Sequence, residues 1–253
     1  MAVEYAPKGL IGLLTPQANT TVEPEYFILL PPGYTHINAR LTSNKKTIIE
    51  RLVDYADKFD EACDQFANAP IQAIAAGCTG VSYLIGRERE EHILAELSDK
   101  RRVPAFTAAT AIIDALKELG ARRVALASPY PKALTDASVG YWESHGLTVT
   151  DISSAEMDES QFHPIYSLKG EAAGRLLEGL GKNADAVLML GTGMPTLAPL
   201  LAANAPGRVP VLSCMLALAW KGVACIDPDA YPLEAWLYAD HWRERYLRQL
   251  PAE

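Results

Sequence analysis

The sequence is short of most residues that announce a chemistry. Its five histidines are scattered and its four cysteines, Cys63, Cys78, Cys214 and Cys225, do not cluster, so no metal-site spacing is present. Four cysteines in 253 residues do not make a disulfide scaffold either. Positive charge is in deficit: 23 Lys and Arg against 31 Asp and Glu leave a net charge of −8, which gives no basic field for nucleic acid or anionic lipid. No apolar run approaches the ~18 residues needed to cross a bilayer. The opening stretch, MAVEYAPKGL, lacks a basic segment followed by an apolar one, so the expectation is a cytoplasmic protein with reduced thiols. There is no P-loop and no GxSxG elbow. GTGMPT is not a complete GxGxxG, and no acidic residue follows it at the spacing a dinucleotide needs. The expectation is therefore no metal, no cofactor, and neither nucleic acid nor membrane as partner.

What is present is alternation. Strand-like runs LIGLL (10–14), IQAIAAG (71–77), RVALA (123–127) and AVLMLG (186–191) each lead into a short loop. Between them lie segments 46–67, 109–120 and 171–182, whose apolar residues recur every three or four positions, as in amphipathic helices. Short apolar strands alternating with such helices imply parallel sheets covered on both faces. The chain also repeats itself. GLLTP (12–16) overlies ALASP (125–129) and CTG (78–80) overlies GTG (191–193), both at an offset of 113, while VPAFT (103–107) overlies VPVLS (209–213) at 106. The fold expected is α/β: two pseudo-symmetric Rossmann-like halves, residues 1–107 and 108–213, with an active site in the cleft between them. Segment 214–253 is expected to pack back on the first half.

These stretches together resemble the aspartate/glutamate racemase superfamily, in its maleate cis-trans isomerase and arylmalonate decarboxylase branch, over nearly the whole chain. GLLTPQANTTVEPE (12–25) is similar to the maleate isomerase opening, in which an asparagine binds a carboxylate; that implies Asn19. GCTGVSY (77–83) puts Cys78 in the place of the first catalytic cysteine. RRVALASPYP (122–131) puts Tyr130 in the place of a carboxylate-binding tyrosine. LGTGMPTL (190–197) resembles the second catalytic loop, but Gly191 stands where a second cysteine is expected. Racemases of this superfamily use two opposed cysteines, and arylmalonate decarboxylase keeps only the second. This chain has the mirror pattern, which argues against two-base racemisation.

Read from the residues alone, each position keeps an alternative. Cys78 is a nucleophile or proton donor whose thiolate loop N–H groups would favour, or else an inert buried thiol. Cys63, Cys214 and Cys225 read as core. Thr79, Gly80, Thr192 and Gly193, with Ser82 nearby, supply hydroxyls and loop N–H groups for a carboxylate, or merely satisfy the turns. Gly191 and Gly193 also suit loop geometry. Asn19 is a carboxylate donor or a helix cap, and Tyr130 a donor held between two prolines or a packed ring. Arg40, in NARLTSNKK, is a fixed cation aimed at a dicarboxylate or solvated surface. His163, in QFHPIY, is a loop residue over the site or a structural one.

The function expected is cofactor-independent cis-trans isomerisation of a small unsaturated dicarboxylate of the maleate type, with Cys78 adding to the alkene. The alternatives are a malonate-type decarboxylase with Cys78 as proton donor, and a non-catalytic carboxylate-binding protein. A homodimer is compatible with the sequence. Cys78 is also expected to be the thiol alkylated first.

Overall fold

The computed structural model describes residues 3–155 and 164–249. Two four-stranded sheets, all of whose pairings are parallel, form its frame. The first contains β1 (Gly9–Pro16), β2 (Tyr34–Leu41), β3 (Ala73–Ala76) and β4 (Ala105–Thr107), in the order β2-β1-β3-β4. The second contains β5 (Arg123–Ser128), β6 (Thr148–Ser154), β7 (Ala186–Met189) and β8 (Val211–Ser213), in the order β6-β5-β7-β8. Every residue of β1, β3, β7 and β8 is buried, which is why these strands read as unbroken apolar runs rather than alternating ones.

The offsets survive as strand register. Leu14 pairs with Ala76 in the first sheet and Ala127 with Met189 in the second, each residue 113 positions beyond its counterpart. Ala105 and Val211, partners of Ile74 and Val187, stand 106 apart. In both sheets the chain leaves the first strand toward one edge and returns on its other side, so the strand order reverses between the two central strands. Loops at the carboxyl ends of β1, β3, β5 and β7 therefore gather at two equivalent switch points.

The helices differ from expectation in two places. Segment 46–67 is not one helix: Ile48–Asp57, begun by a Thr47–Glu50 capping box, gives way at Lys58 to Phe59–Cys63 and a 3-10 turn, Asp64–Phe66. In segment 171–182 the helix Gly170–Arg175 stops early, because glycines recur at 170, 174, 179 and 181 and each costs about 1 kcal/mol inside a helix. Helix Thr79–Arg101 starts directly after β3 and kinks at Gly86.

After β8, helix Cys214–Ala224 packs on helices Ala108–Glu118 and Val22–Leu29 and on β3. Helix Arg243–Gln249 follows, and its Arg245 donates to the carbonyls of Ile28 and Leu29 at the end of Val22–Leu29. Trp236 and Trp242 are fully buried between these elements. No helix among the described residues is long and apolar enough to cross a membrane.

Candidate active site

Four strand-end loops meet where the halves touch. β3 delivers Gly77 and Cys78, and Cys78 is the residue just before helix Thr79–Arg101. The first N–H groups of a helix have no intrahelical acceptor; here those of Gly80 and Val81 reach the Cys78 sulfur. They lower the thiol's pKa, but burial acts more strongly and pushes it up to about 12, so the resting side chain is the neutral thiol. Cys78 is 4% exposed. Early alkylation of Cys78 does not fit this burial; Cys225 is the most exposed of the four thiols.

Thr79 points across the interface, its Oγ1 lying 3.1 Å from Tyr130 Oη. Tyr130 follows β5, and burial lifts its phenol well above the usual value, so it remains a donor. From the loop after β1 comes Asn19, which satisfies the start of a helix. Its Oδ1 accepts the N–H groups of Thr21 (2.8 Å) and Val22 (3.0 Å), opening helix Val22–Leu29, and this fixes Nδ2 toward Thr192 Oγ1 at 3.5 Å.

The β7 loop closes the site from the other half. Thr192 Oγ1 donates to the Gly77 carbonyl (2.7 Å), and Thr21 Oγ1 donates to the Gly193 carbonyl (2.9 Å). Thr192 thus spends its proton joining the two cysteine-position loops. Glu25, buried on helix Val22–Leu29, accepts Thr196 N–H (2.5 Å) and Thr196 Oγ1 (2.8 Å) and fixes the end of the loop.

Gly191 sits at φ +83°, the left-handed region that side chains avoid. A Cβ there would lie 2.9 Å from Ile165 Cδ1 and from Pro129 Cγ, and 3.2 Å from Tyr130 Oη. A Cβ on Gly193 would lie 2.4 Å from the Tyr166 ring. The space around Gly191 and Gly193 is therefore filled by hydrocarbon and phenol, tight for any side chain in this loop.

Arg40 is committed elsewhere than expected. It pairs with Glu23 and donates to the carbonyls of Pro16 (3.3 Å) and Asn19 (3.2 Å), bracing the loop that carries Asn19. His163 lies outside the described residues. Sequence reasoning missed three members of the site. Tyr166, on the 3-10 turn Pro164–Ser167, and Tyr55 lie within electrostatic reach of Cys78. Cys214, assigned to the core, approaches Thr79 from the end of β8, with 3.9 Å from Sγ to Oγ1. Its signal was the repeat itself, since VPVLS places Cys214 just past a strand's carboxyl end. Among the described residues no three His, Cys, Asp or Glu side chains are grouped to hold a metal.

Paired switch-point loops carrying a helix-start cysteine, an amide and a tyrosine define a cleft enzyme of the duplicated α/β type. The chain belongs to the arylmalonate decarboxylase family, whose sequence profile matches residues 11–235. Among its relatives, the maleate isomerase of Geobacillus stearothermophilus is 28% identical over 243 residues, covering 87% of this chain and 93% of the relative. The structure is similar to that of a maleate-bound variant of the maleate isomerase Iso from Pseudomonas putida S16, with a TM-score of 0.80, 23% identity, and 92% and 99% of the two chains covered. It is also similar to a Nocardia farcinica maleate cis-trans isomerase mutant with a covalently bound succinylcysteine intermediate, with a TM-score of 0.73, 24% identity, and 87% and 93% covered.

Proposed function

We propose that this protein isomerises a small cis-unsaturated dicarboxylate of the maleate type, with Cys78 as the sole nucleophile and no cofactor. The observation that carries the reading is the Cys78 sulfur, held on the N–H groups of Gly80 and Val81 and flanked by the Thr79–Tyr130 pair and the Asn19 amide. Tyr130 and Asn19 hold the carboxylates, and Arg40 steadies Asn19. As the substrate docks, the Cys78 proton passes to the carboxylate far from the attacked carbon. Sulfur bonds to the alkene carbon, and the π pair moves into that carboxylate as an enediolate. Rotation about the new single bond follows. The pair then returns, the C–S bond breaks, the proton goes back to sulfur, and the trans isomer leaves. A neutral resting thiol suits this order, because the group that receives the proton arrives with the substrate. The 28% identical relative is named for the same reaction, and succinylcysteine, the species held by the Nocardia farcinica protein, is what thiol addition to maleate yields.

A second reading rests on one specific observation. Burial keeps the Cys78 thiol protonated, its pKa pushed up to about 12, so a proton for carbon is already in place, as fits the decarboxylation for which the family is named. In that case a 2-substituted malonate loses CO₂, the bonding pair stays as an enediolate, and Cys78 protonates the carbon from its own face. Water then restores the thiol.

NMR in D₂O separates the two readings with maleate, substituted maleates and 2-substituted malonates. Isomerisation gives the trans diacid without deuterium on carbon, whereas decarboxylation gives a product carrying one deuterium at the α carbon. Binding of these acids without turnover of any of them would identify a carboxylate-binding protein and end both readings.

A further inference from the structure

Cys214 is a buried nucleophilic group beside the site that neither reaction uses. It is fully buried as the first residue of helix Cys214–Ala224. Its Sγ lies 3.3 Å from the Met189 carbonyl and 3.9 Å from Thr79 Oγ1, and the Gly191 N–H reaches it as well. Thr79 Oγ1 stands 3.1 Å from Tyr130 Oη. A line of exchangeable protons therefore runs from Cys214 through Thr79 to Tyr130, the residue that faces the carboxylate in the proposed function, once the single S–H turns from the Met189 carbonyl to Thr79. A second buried hydroxyl faces the same line. Tyr83 is 5% exposed, its phenol lies within reach of Thr79, and its ring meets that of Tyr130 edge-on at 6.1 Å.

We propose that Cys214 is the terminal acid of a buried proton relay, Cys214–Thr79–Tyr130, that protonates the enediolate oxygen while Cys78 works at carbon. The inference rests on the proposed site but holds for either reaction. As charge builds on the carboxylate oxygen, Tyr130 gives it the phenol proton, Thr79 gives its proton to Tyr130, and the Cys214 S–H replaces the proton of Thr79. The thiolate left behind sits at a helix start with the Gly191 N–H on it, two features that offset part of the cost of burying the anion. Every proton returns when the enediolate collapses or is protonated at carbon. The other groups within electrostatic reach of Cys214 are Tyr83, Tyr130 and Glu25, none of them a cation. Burial pushes the Cys214 thiol up to about 12 and lifts the Tyr130 phenol well above its usual value, so both rest protonated. Cys214 acts through Thr79 and Tyr130 and is thus a positioning residue, not one that touches substrate.

The test turns on Cys214→Ser, which preserves size and hydrogen bonding but offers a far weaker acid. With maleate or phenylmalonate, whichever the protein turns over, both Cys214→Ser and Cys214→Ala should lower kcat at least about tenfold. KM should stay within about twofold in both, and a curved proton inventory in H₂O/D₂O mixtures should become linear. If Cys214→Ser keeps full kcat while Cys214→Ala loses it, the thiol only fills space and the relay is overturned. If the protein turns over neither acid, it is the proposed function that fails. The relay then stands on the infrared S–H band of Cys214, isolated by subtracting the Cys214→Ala spectrum. That band should shift in Thr79→Val, and a band that does not move overturns the relay whatever the substrate.

Discussion

Placing a methyl group on Gly191 is the sharpest probe of the site's shape. At φ +83° a residue with a Cβ meets its own backbone, at a cost of about 1–2 kcal/mol. The new Cβ also falls 2.9 Å from both Ile165 Cδ1 and Pro129 Cγ. The isoleucine tip swings aside easily; the proline ring, fixed at the end of β5, does not, and crowding of this kind costs about 1–3 kcal/mol. Gly191→Ala should therefore lose about 2–5 kcal/mol, a fall in Tm of roughly 5–15 °C for a chain of this size. Gly191→Cys should lose at least as much, so the single substitution will not yield a sound two-thiol site. Adding Ile165→Ala removes the movable part of the clash and leaves the backbone cost. In that double variant two thiols face one carbon, and a single-enantiomer 2-aryl propionate should take up deuterium and racemise, which the parent should not bring about. Calorimetry and chiral chromatography read both effects. A Gly191→Ala protein that melts within about 2 °C of the parent would show that the loop relaxes freely and that the packing argument is wrong. A folded double variant with neither exchange nor racemisation would show that residue 191 does not face Cys78 across the ligand.

Cys78→Ser should cut turnover by orders of magnitude with the melting curve unchanged, and full activity in that variant would end both catalytic readings. Asn19→Ala should lose about 1 kcal/mol of stability with the helix cap and weaken maleate binding by about 1.5–3 kcal/mol with the amide. Asn19→Asp keeps the cap, so calorimetry should show stability held and affinity lost; undiminished maleate affinity would remove the amide from the site. Burial raises the Glu25 carboxyl from 4.5 to about 7. Because the folded value lies above the unfolded one, proton uptake stabilises the fold below about 4.5, and that contribution is lost as pH rises through about 7, by up to about 3 kcal/mol. Melting curves from pH 5 to 8 should show the parent losing ground steadily to Glu25→Gln, and parallel pH dependences would refute this.

The frame was legible because parallel strands buried on both faces announce themselves as apolar runs, and a duplicated frame shows its register as a constant offset. The edge strands were not. β2 (YTHINARL) is only partly buried and β6 (TVTDISS) mostly exposed, and neither alternates cleanly. Within the site, residues local to one strand end could be found: Cys78, Asn19, Tyr130 and Gly191 each lie just past a strand. Contacts between the halves could not. Thr79 meets Cys214 across 135 positions, and Glu25 holds Thr196 across 171. Arg40 shows the limit from the other side. Its charge was visible, but Glu23 and two backbone carbonyls, which occupy that charge, are disclosed only by the fold.

The asymmetry of the thiols follows from where the helices begin. After β3 the chain enters a helix at once, so a cysteine at position 78 finds the free N–H groups of Gly80 and Val81. After β7 it does not. The equivalent loop turns through Gly191 and reaches its helix only at Leu197, whose N-terminal end is already bound to Glu25. A cysteine at 191 would have no helix start to stabilise its anion, and the backbone conformation there disfavours any side chain. In the second half a helix start beside the site follows β8, and a cysteine stands at its first position. Each half thus offers one thiol where its own geometry can hold a transient negative charge: Cys78 beside Thr79, and Cys214 behind it. That placement lets the two thiols divide the work, one at the carbon and the other, through two hydroxyls, at the oxygen.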